Sequence, residues 1–109
     1  MMTELVTPEA AKMHLRIDDS EGEADLLLKI QGSSAALLSW LQEGRRLVVN
    51  DDGELIEGEA LSRVQTALLV LLGYLDRNRG GEEEEKLMRG ELPLSVTMLI
   101  HDLRKPVIV

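Results

Sequence analysis

Two histidines, three groups of carboxylates and no cysteine are what this 109-residue chain offers for chemistry. Without cysteine there is no disulfide, no thiolate metal site and no thiol nucleophile. His14 and His101 stand alone: neither lies in HExxH or beside a second ligand at metal-binding spacing. His14 continues the apolar series Ala10, Met13 and Ile17, so it reads as a structural histidine at the edge of the core, and His101 beside Asp102 reads as exposed. No GxSxG, GxGxxG or Walker loop is present. Asp18, Asp19, Glu21, Glu23 and Asp25 span a turn and a helix start, where acids suit the positive end of the helix dipole. Asn50-Asp51-Asp52-Gly53 is superficially a calcium loop. With Gly53 at the sixth loop position, however, Val48 would have to be the first ligand, so the segment is a turn.

The third group, Glu82-Glu83-Glu84-Glu85, invites comparison with the EExxE pairs of helical nucleotide pyrophosphohydrolases. Gly80-Gly81 precedes it, Lys86 falls where the third acid is needed, and no second acidic pair lies on an apolar helix. A solvated loop is the better reading. No catalytic residue, metal site or cofactor is therefore expected, and the chain is not expected to be an enzyme. A net charge of −8 argues against affinity for nucleic-acid phosphates. Trp40 and Tyr74, the only aromatic side chains, do not make a base-stacking platform. The longest apolar run, Ala67 to Leu75, is nine residues, whereas a membrane span needs about 20. The opening Met-Met-Thr-Glu lacks the basic and apolar parts of a signal peptide. A single domain over residues 1–109, made in the cytoplasm and with no membrane partner, is expected.

What must position these groups is mainly helix. Twenty-one leucines and few β-branched residues favour it. Thr7-Pro8-Glu9 opens the first helix with a cap, a proline in the first turn and an acid at the dipole's positive end, and the helix is expected to end near Ile17. Ser20 followed by Glu23 has the form of a capping box for a second helix reaching about Glu43. Leu26, Leu27, Ile30, Leu37, Leu38 and Leu41 form its stripe, and Gly44 is a candidate C-terminal cap. Leu47-Val48-Val49 and Leu55-Ile56 flank the Asp-Gly turn and predict a short β-hairpin.

A third helix over about 59–78 has Leu61, Val64, Leu68, Leu71, Leu72 and Leu75 on one face, and Leu69, Val70 and Tyr74 on the other. A helix apolar nearly all round must be covered all round. Either it is the central helix or a second subunit covers part of it. Residues 80–91 read as a mobile acidic loop. A fourth helix begins at Pro93, carries Val96, Leu99, Ile100 and Leu103 on one face, and is stopped by Pro106. Val107-Ile108-Val109 is left as an extended apolar tail. The fold class expected is mainly α: a small bundle of four helices with one β-hairpin between helices two and three.

Val6 to Asp18, followed by acids and then Asp25-Leu26-Leu27-Leu28-Lys29-Ile30, resembles the opening of tailed-phage head–tail connector proteins. That family has a threonine-led EEAKxHLRID segment, an acidic turn and a helix starting DxLLxxLI. The resemblance continues in Val64 to Arg79, a long apolar helix ending in Asn78-Arg79, and in Leu92-Pro93 to Arg104, which is similar to the family's LPxxVxxLLxxxR ending. The chain departs from the family in having only Tyr74 as an aromatic on the third helix and in its more acidic loop.

The resemblance implies a head-completion adaptor of a phage, prophage or gene-transfer particle, located at the head–tail junction of the virion. Such adaptors form a homo-oligomeric ring of about a dozen copies beneath the portal protein, arranged head to tail. They lengthen the DNA channel and present a surface to the tail or stopper protein. DNA passes through without specific binding, and an acidic wall suits that by like-charge repulsion. On this reading Lys105, Pro106, Val107, Ile108 and Val109 dock to the portal. Glu82, Glu83, Glu84 and Glu85, or the hairpin at Asp51 and Asp52, face the channel or the tail, while Leu69, Val70, Tyr74 and Trp40 meet the next subunit. Two other readings are a small acidic regulator binding one partner through helix three, and a metal-dependent hydrolase using the acid clusters.

Overall fold

The computed structural model describes residues 3–16, 23–77, 86 and 89–106, together with the backbone but not the side chain of Glu23. Within them the protein is mainly helical: α1 is Pro8–Leu15, α2 Glu23–Leu41, α3 Glu59–Arg77 and α4 Leu94–Ile100, with short 3₁₀ turns at Glu43–Leu47 and His101–Leu103. α3 is the hub and packs against the other three helices. Its buried residues Leu61, Val64, Leu68, Leu71 and Leu72 follow helical spacing, and the core closes on them with Ile30, Leu37 and Leu41 of α2 and Val96 and Ile100 of α4. None of the helices among the described residues is long and apolar enough to cross a membrane.

α1 begins as its sequence dictates. The Thr7 hydroxyl accepts a hydrogen bond from the Ala10 amide at 3.1 Å, Pro8 occupies the first turn, and Glu9 lies at the positive end. It ends at Leu15, because Arg16 takes a left-handed conformation (φ 59°) that turns its amide back to the carbonyls of Lys12 and Met13. Its inward face differs from the expected one. Ala11 is buried and Leu15 half-buried, whereas Met13 is 82% exposed and His14 is exposed, with its ring beside Gly73 of α3. In a helix of eight residues the spacing fits more than one stripe, and contact with α3 decides between them. The capping box at Ser20 lies outside the described residues.

The hairpin expected over 47–56 does not form, and no strand is present among the described residues. Glu43–Leu47 is a 3₁₀ turn, and the amides of Val48 and Val49 both donate back to the Arg45 carbonyl at 3.0 Å. The Val48 amide is thereby lost to the Ile56 carbonyl it would meet in a ladder, and the pairing is limited to the Ile56 amide on the Val48 carbonyl (2.8 Å) and the Asn50 amide on the Glu54 carbonyl (2.9 Å). What remains is one antiparallel bridge, Val49 to Leu55, around a tight turn in which the Gly53 amide donates to the Asn50 carbonyl. Gly53 has φ 81°, a conformation that favours glycine.

Gly44 is not the cap of α2. It is buried in the 3₁₀ turn, and a Cβ placed there would overlap the Leu103 carbonyl. This close approach lets the chain after α4 lie along the end of α2. The Lys105 amide donates to the Leu41 carbonyl (3.1 Å), and the Glu43 amide donates to the Lys105 carbonyl (2.9 Å), forming a parallel bridge between Gln42 and Lys105. The backbone of Lys105 is thus paired with its own chain and is not the start of a free tail. Residues 107–109 lie outside the described residues.

The opposite end is also tied down, a feature the sequence did not announce. Leu5 is fully buried and Val6 nearly so. The Leu5 amide donates to the buried hydroxyl of Ser34 on α2 (3.1 Å), and the Leu5 carbonyl accepts from the Gln65 amide group on α3 (2.9 Å). Gln31 and Glu4 add a third tie at 3.2 Å.

Candidate interaction surface

Three surfaces stand out among the described residues. The first is an open groove of about 670 Å³ along α2. Gly32, Ala35, Ala36 and Ser39 give it a shallow floor because their side chains are short. Trp40 and Arg104 line one part, Arg89 and Leu92 another. The Arg104 Nε donates to the Trp40 carbonyl at 2.8 Å, and the guanidinium carbon lies 4.8 Å from the centroid of the Trp40 ring. This cation–π stack holds the charged head in place. Arg89 is paired with Glu91 at 2.9 Å.

The second surface is the turn at Asn50–Glu54. The Asn50 side-chain oxygen accepts from the amides of both Asp52 and Glu54 at 2.9 Å, an Asx arrangement that fixes the loop. The Thr3 hydroxyl reaches the Gly53 carbonyl at 3.4 Å. Asp51 and Asp52 are exposed at the tip and make no side-chain hydrogen bond or ion pair among the described residues, and the half-exposed Leu55 and Ile56 follow them.

The third is a cavity of about 240 Å³ between α3 and the chain entering α4, lined by Leu71, Tyr74, Leu75, Lys86 and Leu92 among others. Tyr74 stands at its wall, half-buried, and Leu69, Val70 and Trp40 are likewise partly covered by their own core. The strongly exposed apolar side chains among the described residues are elsewhere: Met13 on α1, Leu28 on α2, and Leu94 and Met98, one turn apart on α4. Lys105 and Pro106 are exposed. Glu82–Glu85 and Val107–Val109 lie outside the described residues.

Sequence reasoning missed one pair entirely. Arg63 of α3 donates through Nε and a terminal nitrogen to the Leu99 carbonyl at 3.1 and 2.8 Å, and it grips Asp102 with both terminal nitrogens. The arginine's hydrogen bonds hold the Asp102 carboxyl below its ordinary pKa, and the carboxylate in turn raises Arg63. The two residues are 39 positions apart, so no local pattern announces them. The pair anchors the end of α4, where carbonyls lack helical partners. Among the described residues no three metal-ligating side chains gather, and Asp25 is paired with Lys29 at 3.2 Å.

Compared with models of protein families, with curated proteins and with solved structures, the chain matches none. The surfaces above therefore carry the functional argument together with the sequence.

Proposed function

We propose that the protein is a head-completion adaptor: about a dozen copies in a ring beneath a phage or prophage portal, extending the DNA channel and joining head to tail. The observation that carries this reading is the ordered set of resembling segments, each coinciding with a framework element. Val6 to Asp18 contains the Thr7-capped α1, Val64 to Arg79 most of the hub helix α3, and Leu92 to Arg104 contains α4. The acidic run Glu82–Glu85 is assigned to the channel or the tail-facing side, where like-charge repulsion keeps DNA moving. Portal docking is assigned to Lys105–Val109, of which Lys105 is held at the end of α2 by backbone pairing and is exposed, as is Pro106.

The rival reading, a regulator binding one partner through the back of α3, has less support. Leu69, Val70 and Tyr74 are already partly buried in their own chain, which weighs equally against the subunit contact the resemblance gives them; what the regulator lacks is a set of resembling segments of its own. Absolute mass by light scattering over a wide concentration range tests the proposal. The expected species is about twelve chains of 12.1 kDa, near 145 kDa. A strict monomer that also fails to bind the portal protein of the same genome overturns it. Truncation after Pro106 is expected to abolish portal binding while leaving the fold intact.

A further inference from the structure

We propose that the acidic turn at Asn50–Glu54 of one copy seats in the Trp40–Arg104 groove of the next, a contact that rests on the ring reading for its biological setting. Charge complementarity is the first argument. In a chain of net charge −8, the groove is lined among the described residues by two arginines and no acid. Arg89 is already paired with Glu91, but Arg104 faces no carboxylate among the described residues. Arg104 is the one prepared to bind. Its Nε donates to the Trp40 carbonyl and its guanidinium lies over the Trp40 ring, while its two terminal nitrogens make no hydrogen bond among the described residues. A planar guanidinium so presented matches a carboxylate, and its orientation is settled before the partner arrives.

The occupant has the opposite character. Asp51 and Asp52 are exposed carboxylates with no side-chain partner among the described residues, on a loop made stiff by Asn50 and Gly53. A stiff loop loses little conformational freedom on docking, which favours it over a flexible acidic segment. Beside the tip, Leu55 and Ile56 are 37% and 38% exposed, and they meet an apolar floor of Ala35 and Ala36 bounded by Leu92.

Turn and groove are different surfaces, and every copy carries one of each. Such a contact leaves a free turn at one end of a pair and a free groove at the other, so copies add until the rotation closes. The inference therefore assigns the turn to the subunit contact and not to the channel.

The absence of native cysteine makes the test direct. Asp52 and Ser39 are exposed, so Asp52→Cys and Ser39→Cys are made separately, mixed at high concentration and oxidised. The expected product is a mixed disulfide dimer at least tenfold more abundant than with Thr66→Cys, an exposed position on α3, in place of Asp52→Cys. Arg104→Glu in the Ser39→Cys chain is expected to reduce that product about tenfold, and Asp52→Cys with Asp51→Lys to restore it in part. No preferential mixed dimer, or one insensitive to Arg104→Glu, overturns the contact. Light scattering of the native chain judges the ring separately: a closed ring without the mixed disulfide sinks this contact alone, and a mixed disulfide from a protein that stops at dimers keeps the contact and sinks the ring.

Discussion

The two ends of the described chain are both fastened, Leu5 to α2 and α3 and Lys105 to the end of α2 and the turn after it, but by different chemistry. At Leu5 the chain's backbone is held by side chains, the Ser34 hydroxyl and the Gln65 amide, and the leucine itself fills the core. At Lys105 backbone holds backbone, through Leu41 and Glu43, and what permits the approach is the lack of a side chain at Gly44. The first fastening is specified by what residues carry, the second by what one residue omits. The difference teaches where each is vulnerable: the first fails by truncation of a side chain, the second by addition of one.

The largest effect is expected from Leu5→Ala, which removes a fully buried side chain and should cost about 2–5 kcal/mol. A fall in urea midpoint with unchanged slope would register it. Gly44→Ala should follow at about 1–3 kcal/mol, since the obstructing atoms are backbone and cannot swing aside. Amide exchange at Lys105 and Glu43 would sharpen the comparison, because protection there should drop while the Leu5 amide stays slow. Ser34→Ala leaves the buried Leu5 amide unpaired and should cost about 1 kcal/mol or somewhat more, with the reverse exchange pattern. Arg104→Ala removes an exposed stack on Trp40 and should cost about 0.5–1 kcal/mol, read together with a change in tryptophan fluorescence.

The smallest effect concerns Asp102, whose carboxyl is held below its unfolded value of 3.8 chiefly by the hydrogen bonds from Arg63. A depressed pKa adds stability above the unfolded value and loses it as the pH falls through the folded one. The stability difference between native protein and Asp102→Asn should therefore be full at neutral pH and shrink as the pH falls through the unfolded value of 3.8 and below it. A difference that stays constant over that window would dissociate the pair from the pH response.

Long regular elements were legible in the sequence because their signals are local. The Thr7 cap is where the residue types put it, and Leu26, Ile30, Leu37, Leu38 and Leu41 all face inward on α2. The apolar series on α3 reads correctly for the same reason: nineteen residues fix the phase of a stripe. Eight residues did not fix it for α1, where Ala11 and Leu15, not Met13 and His14, meet the core. The hairpin stopped at one bridge because the Val48 amide, which a ladder would give to the Ile56 carbonyl, is taken by the Arg45 carbonyl. Gly44 looked like a helix cap because that is the commoner use of glycine near a helix end. Its real constraint comes from a carbonyl 59 residues later in the chain, at Leu103. The groove combines residues of α2 with Arg89 and Arg104, and nothing within one segment foretells it.

The fastening of Leu5 also sets an order of events during synthesis. Its carbonyl waits for Gln65, which lies 60 residues downstream. At about 5–20 residues per second the ribosome takes about 3–12 s to reach that partner. Until then Leu5 and Val6 are apolar side chains with only part of their burial site made. The hub helix is thus a checkpoint in time as well as in space: the nascent chain can form α2 early, but its first residues settle only when the second half of α3 is on its way out of the tunnel.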